Sequence, residues 1–180
     1  LEGLGIELSA VHTEAGPGLL ELNVEARRGL AAADDAALLK FGVKQVAASM
    51  GLRASFLAKS APGEEGSSGH VHLSLWRGTT NAFAGADQSA ELVPPFSSAV
   101  AGVVEHLPAA SLLLNPTINS YKRLVPGWFA PINATWGYEN RSCAVRAIRG
   151  TRPELWRFEC RRPGADANPY LVLAAIGGSV

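Results

Sequence analysis

The stretch "GHVHLSLW", Gly69–Trp76, sets polar and apolar residues in strict alternation. Alternation with a period of two reads as a half-buried β-strand. His70, His72, Ser74 and Trp76 then share one face, and Val71, Leu73 and Leu75 the other, because successive strand side chains point to opposite sides. The strand follows a Gly/Ser-rich loop, "SAPGEEGSSG" at 60–69. Two histidines and a serine turned away from the core, behind a glycine-rich loop, are either solvated surface residues or the lining of a site.

Upstream, residues 1–30 read as strands: after the Gly16-Pro17-Gly18 break, Leu20, Leu22 and Val24 alternate with Glu21, Asn23 and Glu25. Leu39, Val43, Val46 and Met50 recur at helical spacing, which predicts a helix over 35–50 with Asp34 or Asp35 as cap and Gly51 as stop. "RASFLAK" (53–59) reads as a short strand. Downstream, 77–91 is polar and loop-like. "PPFSSAVAGVVEHL" (94–107) reads as a helix whose pattern "ASLLL" carries beyond Pro108. "CAVRAI" and "LWRFECR" read as strands, and the second places Arg157, Glu159 and Arg161 on one face and Trp156, Phe158 and Cys160 on the other. In "ADANPYLVLAAIGG", Asn168 is a good helix cap and Pro169 a good first helical residue.

The 180 residues fit one domain, and a hydrophobic fraction of 47% supplies a sizeable core. Charge balances at 16 basic against 16 acidic residues, which removes any global pull toward nucleic acid or membranes. No run reaches the roughly 18 apolar residues of a membrane helix. Cys143 and Cys160 lack metal-type spacing, in keeping with a reducing, cytoplasmic setting.

Half of the basic residues are arginines crowded into one window: Arg123, Arg141, Arg146, Arg149, Arg152, Arg157, Arg161 and Arg162. Guanidinium forks match carboxylates and phosphates. A solvated face is the plainer reading for Arg149, Arg152 and Arg162, in turn-like surroundings. Glu14, Glu21, His70 and Glu159 together form a donor set that suits Mg²⁺ or Mn²⁺, with zinc at the His-x-His pair as a competitor on chemistry alone. Alternating Arg157-Glu159-Arg161 is either a surface ion ladder or a metal ligand between two anion clamps.

At "NSYKRLVPGWFAP" (119–131) the sequence strongly resembles the glutamine synthetases, whose familiar form is "NSYKRLVPGYEAP". "HTEAGPGLLEL", "GSSGHVHLSLW", "ENRSCAVR" and "RFECRRPGADANPYL" resemble further family segments in the same order, so the likeness covers the whole chain. It implies an α+β catalytic-domain fold, a curved antiparallel sheet flanked by helices. It implies that residues 1–180 are part of that domain. The N-terminal β-grasp domain, the first catalytic strand and the C-terminal part would lie outside it, and the piece alone would be inactive.

The resemblance also implies roles. Glu14 and Glu21 would serve one metal, and His70 and Glu159 a second. Gly66 and Arg123 would hold glutamate, and Arg161 the carboxylate undergoing transfer. Arg141, Arg146 and Arg157 would bind phosphate, with Arg141 and Arg161 acting in catalysis, and His72 and Ser74 would line the ATP end. Grouped carboxylates imply that removing Glu159 relieves repulsion. The activity implied is an ATP-dependent ligase that joins glutamate to an amine through a γ-glutamyl phosphate, with Mg²⁺ or Mn²⁺, in a ring-forming homo-oligomer. The family's Gly-Tyr-Glu is Gly127-Trp128-Phe129 here. Phe129 cannot attract or deprotonate ammonium, so this departure points to an organic amine, with Trp128 either adding to the apolar surface or packing in the core. Two alternatives stand beside it: true glutamine synthesis, with Glu139 serving ammonia, and a non-catalytic scaffold of the same fold. Nucleic-acid binding lacks a basic helix or an aromatic motif.

Overall fold

The computed structural model describes residues 2–84 and 94–180; part of the loop read at 77–91 therefore lies outside the described residues. A short 3₁₀ turn, Glu2–Leu4, leads into a hairpin of β1 (Leu8–Thr13) and β2 (Leu20–Val24). Helix α1 (Ala31–Ser49) follows, then β3 (Val71–Leu73) and a small hairpin of β4 (Trp76–Arg77) and β5 (Thr80–Asn81). Helices α2 (Phe96–Leu114) and α3 (Ile118–Lys122) precede β6 (Trp136–Tyr138), β7 (Val145–Ile148), β8 (Arg157–Cys160) and α4 (Pro169–Gly178).

The central sheet runs β3-β8-β7-β6. Its first three strands are antiparallel, as expected, but β6 joins β7 in parallel. The α+β class holds, with strands divided among this sheet and two separate hairpins.

Three local expectations change. Helix α1 begins at Ala31, before Asp34 and Asp35, and no side chain caps it. Gly29, at φ 57°, delivers the chain to that start, and Asp35 is drawn instead to Arg27 at 3.3 Å. Gly51 does end the helix region in the left-handed conformation, at φ 73°. The "RASFLAK" segment is not a strand. Its backbone at Lys59 is satisfied by a side chain: the Lys59 amide donates to Asn119 Oδ1 (3.0 Å) and Asn119 Nδ2 donates to the Lys59 carbonyl (2.8 Å). An amide side chain thus takes the place of a neighbouring strand. The "GHVHLSLW" strand is shorter than its alternation, and after Leu73 the chain breaks and Trp76 opens the β4–β5 hairpin.

The core lies between the central sheet and α2. Phe83 and Phe96 stack at 4.6 Å between ring centroids, and Phe158 and Trp156 lie against this pair. Val145, Ala147, Phe158 and Cys160 meet Ala99, Val100, Val103 and Leu107 in one buried cluster. Helix α2 is by length and composition long and apolar enough to cross a membrane. A core helix meets the same test, and this one buries its Phe96–Leu107 face. It continues through Pro108 as the pattern predicts. Helix α4 crosses α2 closely: a Cβ on Gly102 would lie 2.1 Å from the Ser179 carbonyl oxygen, so only glycine fits. Asn168 caps α4 by accepting from the Tyr170 and Leu171 amides, with Pro169 next, as predicted.

Burying Phe158 and Cys160 forces Arg157, Glu159 and Arg161 onto the opposite face of the sheet. That face carries the site.

Candidate functional site

Cross-strand register assembles the polar face. His72 stands opposite Glu159, and Glu159 opposite Arg146, so three neighbouring strands present one side chain each. On the separate hairpin, His12 stands opposite Glu21. His70 joins the two units: its Nε2 lies 3.5 Å from Glu21 and its Nδ1 3.6 Å from Glu159. Glu21, His70 and Glu159 are thus brought into one chain of contacts from sequence positions far apart, and Glu14 lies beside Glu21.

The electrostatics differ along this chain. The hydrogen bond from His70 holds the Glu21 carboxyl well below its usual range, against the upward push of burial. Burial, then Glu21, pushes Glu14 the other way. Glu159 is 2% exposed. Burial favours its neutral form, but Arg161, His70, His72 and Arg146 outweigh that and keep it below the ordinary carboxylate range. Arg161 donates to Glu159 at 2.5 Å and Arg146 at 3.2 Å. Arg146 also donates to Glu139, whose backbone sits in the left-handed region at φ 47°. Glu159 is therefore surrounded by cations, not by carboxylates, and the expectation that its removal relieves repulsion is overturned.

Arg157 donates from Nε to His72 Nδ1 (3.0 Å) and from Nη1 to the Leu155 carbonyl (2.8 Å). His72 keeps one edge in solvent, yet desolvation, partly opposed by Glu159 and reinforced by Arg157, His70 and Arg146, pushes its pKa down to about 4. It is neutral at physiological pH, with Nδ1 accepting. Ser74 lies just beyond β3 and accepts from the Trp76 indole at 2.8 Å.

Among the described residues, two groups bring potential metal-ligating atoms within 4.8 Å of one another: His12, Glu14 and Glu21, and His70, His72 and Glu159. His12 was missed in the sequence, although it stands two residues before Glu14, the same spacing that drew attention to His70 and His72. His72, assigned to the nucleotide end, stands in the second donor group.

Gly66 and Arg123 are in contact. A Cβ on Gly66 would fall 2.3 Å from Arg123 Cγ and 2.8 Å from the Ala58 carbonyl oxygen. Arg123 is 3% exposed and donates from Nη2 to the Arg162 carbonyl at 2.6 Å. Burial, then Arg162 and Arg161, pushes its pKa down to about 10, which leaves it charged at neutral pH. Among the described residues, the buried side-chain polar atoms without a hydrogen-bond partner are both of Asn115, Nε of Arg123 and of Arg161, and Oδ1 of Asp166. They all belong to 115–123 and 161–166. Buried guanidinium nitrogens without acceptors are primed for an anion from outside.

The remaining arginines divide differently from their sequence reading. Arg141 is exposed in the turn before β7 and enters none of these ion pairs. Arg152 is exposed, as expected. Arg149 is only half-exposed, because its guanidinium stacks 4.3 Å from the Tyr138 ring centroid. Arg162 is half-buried and donates to the Pro131 carbonyl at 2.8 Å.

Phe129 is 66% exposed and sits at φ 52°, a backbone region that aromatic residues seldom occupy. With Pro126, Gly127, Ala130, Ile132, Asn133 and Thr135 it lines an open cleft of about 360 Å³. Trp128 is half-buried and lies beneath the Lys59 ammonium, 4.5 Å from its ring centroid.

Comparison with known proteins accords with this architecture. Residues 1–179 match the family model "Glutamine synthetase, catalytic domain". The chain is similar to the glutamine synthetase of Streptomyces coelicolor, with 41% identity over 178 residues, 98% of this chain and 38% of that protein. It is 42% identical over 172 residues to a glutamate–isopropylamine ligase of a Pseudomonas species, 95% of this chain and 37% of that protein. Its fold matches the cryo-EM structure of Plasmodium falciparum glutamine synthetase with a TM-score of 0.91 and 29% identity, over 97% of this chain and 34% of that one. The chain thus spans well under half the length of each.

Proposed function

Since the chain belongs to the glutamine synthetase family, we propose that the protein containing it is an ATP-dependent glutamate–amine ligase whose amine is organic. The observation that carries this reading is the convergence of Glu21, His70, Glu159, Arg146 and Arg161 from the hairpin and three strands of the sheet.

The donor set fits divalent cations. Carboxylate oxygens and imidazole nitrogens suit Mg²⁺ or Mn²⁺, and the upward push of Glu21 on Glu14 is a repulsion that a cation between them would relieve. Glu14 and Glu21, with His12 beside them, would hold one ion; His70 and Glu159, with His72 near, a second. Such ions, when bound, neutralise phosphate charge and polarise the transferring phosphoryl group.

The chain's own residues have these tasks. Arg123, held against Gly66, anchors glutamate. Arg161 orients the side-chain carboxylate. Arg146 and Arg157 meet the phosphates, with Arg141 able to swing in from its exposed turn, and His72 and Ser74 border the nucleotide. The γ-carboxylate oxygen attacks the terminal phosphorus of ATP, and the bond to the ADP oxygen breaks. The amine nitrogen then attacks the acyl carbon, phosphate leaves, and the surplus amine proton passes to solvent. Dianionic phosphate and carboxylate meet only where cations offset their repulsion. Replacing Arg157 by Lys should lower turnover about 10- to 100-fold, because a point charge cannot serve His72, the Leu155 carbonyl and phosphate together. Steady-state kinetics of the variant check this, and near-normal turnover counts against the assigned role. A ring-forming homo-oligomer in the cytoplasm belongs to the same proposal.

Phe129 supports an organic amine. It offers exposed apolar surface at the cleft, where burial is worth about 25 cal/mol per Å², and an aromatic face holds an organic cation with about 0.5–2 kcal/mol. The ammonia reading rests on Glu139, whose carboxylate is instead held by Arg146. The test uses the intact protein with ATP, Mg²⁺ and glutamate, scoring phosphate release across ammonia and alkyl, aryl and polyamines. The expected result is a higher kcat/KM for an organic amine, and a shift toward ammonia in Phe129→Glu. If ammonia wins and Phe129→Glu improves it no further, the argument from Phe129 fails.

A further inference from the structure

We propose that Asp166 is a positioning residue that holds Arg123 in its glutamate-anchoring place by clamping helix α3. The proposal rests on the reading of Arg123 given above.

Asp166 stands in the loop between β8 and α4, remote in sequence from Arg123. Its Oδ2 accepts two hydrogen bonds, from Thr117 Oγ1 at 3.0 Å and from Ser120 Oγ at 2.6 Å. These two residues form the capping box of α3, in which the Ser120 amide donates to Thr117 Oγ1 and the Thr117 amide to Ser120 Oγ. Both hydroxyls are thus committed twice, once to the helix start and once to Asp166. Ser120 is completely buried. Arg123 is the C-cap of the same helix, and its amide donates back to the Ser120 carbonyl at 3.3 Å. A five-residue helix is too short to hold itself together in water. Its position is set by what grips it: Asp166 at Thr117 and Ser120, the Lys59 backbone at Asn119, and the Arg162 carbonyl at the Arg123 guanidinium.

The grip also has an electrostatic side. The charges felt by buried Arg123 include those of Arg162 and Arg161, both repulsive, and that of Asp166, which opposes them. The backbone leaves room for this carboxylate, since a Cβ on Gly164 would meet Asp166 Oδ1 at 2.5 Å. Glu159 does not take this part, being occupied by Arg146, Arg161 and His70. Asp166 makes its hydrogen bonds to α3 and adds a through-space charge at Arg123, so it acts on the anchor through the helix and its field.

Because both hydrogen bonds end on one oxygen, Asn can keep them while losing the charge, whereas Ala loses both. In the intact protein, Asp166→Ala should raise the KM for glutamate about tenfold or more while the KM for ATP stays within about twofold, the signature of lost uniform binding at one substrate. Asp166→Asn, which keeps both hydrogen bonds and loses the charge, should raise the glutamate KM by no more than about threefold, well short of Asp166→Ala, with the KM for ATP unchanged. Ser120→Ala, which removes the 2.6 Å bond together with the capping bond from the Thr117 amide, should raise the glutamate KM in the same direction and covers the case in which Asp166→Ala does not fold. Hydrogen exchange provides a reading independent of activity: amides of residues 118–123 should lose protection in Asp166→Ala while those of β7 and β8 keep theirs. An unchanged glutamate KM in both Asp166→Ala and Ser120→Ala, an equal rise in both KM values, or unaltered protection over 118–123 overturns the proposal. Wild-type protein that shows no glutamate-dependent ATP turnover would refute the ligase reading, and the exchange result would still decide whether Asp166 clamps α3.

Discussion

Glu159→Ala in the intact protein should lower kcat/KM about 10³-fold or more and also unfold at lower denaturant. The activity loss follows from the proposed place of Glu159 beside the phosphoryl transfer, where charge stabilisation is worth several kcal/mol, about 1.4 kcal/mol per tenfold in rate. The stability loss follows from the contacts. Removing one partner of a buried ion pair costs about 3–5 kcal/mol, because the other partner is left uncompensated. Here Arg161 and Arg146 would both lose Glu159, but Arg146 keeps Glu139 and both guanidiniums retain some exposure. The lower end of that range is the expected value, about 3 kcal/mol. Glu159→Gln should lose comparable activity with a smaller stability change, since its carbonyl oxygen still accepts from one arginine. Glu14→Ala is the contrasting case: the Glu14 carboxyl is pushed upward by burial and by Glu21, so its removal should leave stability unchanged or slightly raised. Denaturant titrations of the three variants beside wild type measure this. Wild-type stability in Glu159→Ala would show that the arginines are held by something else.

Gly66→Ala should cost about 10²-fold in kcat/KM for glutamate, the scale expected for displacing a substrate-holding group by about 1 Å. The new methyl group has no free direction. It meets the Arg123 stem at 2.3 Å on one side and the Ala58 carbonyl oxygen at 2.8 Å on the other. Either Arg123 gives up its 2.6 Å hydrogen bond to the Arg162 carbonyl, or the loop lifts and strains the Ser67 amide bond to Ala58 at 2.8 Å. Overpacking of this kind costs about 1–3 kcal/mol of stability. The KM for ATP should move little, because Arg146 and Arg157 lie on β7 and β8, away from the Gly66 loop and the end of α3. Initial-rate kinetics with each substrate varied in turn check the split. A Gly66→Ala enzyme with unaltered glutamate kinetics would remove Gly66 and Arg123 from the substrate site.

By itself, the sequence determined the family, the α+β class, the strand alternation at 157–161 and the Asn168-Pro169 start of α4. These signals are local: a period of two, a cap followed by proline, or a motif read in order. Tertiary structure decided what the local signals could not contain. Whether "RASFLAK" became a strand depended on Asn119, sixty residues away, offering its amide to Lys59. Where α1 began depended on Gly29 and on Arg27 claiming Asp35, not on the helix propensity of the aspartates. Which arginines faced solvent depended on the Tyr138 ring beneath Arg149 and the Pro131 carbonyl beside Arg162. The charge environment of Glu159 is the clearest instance. Its motif partners Glu14 and Glu21 group it with carboxylates, yet Arg161 on its own chain and antiparallel pairing, which sets Arg146 on one side and His72 on the other, surround it with cationic and imidazole groups. Coulomb energy depends on distance in space, and strand register, which no local pattern encodes, sets that distance.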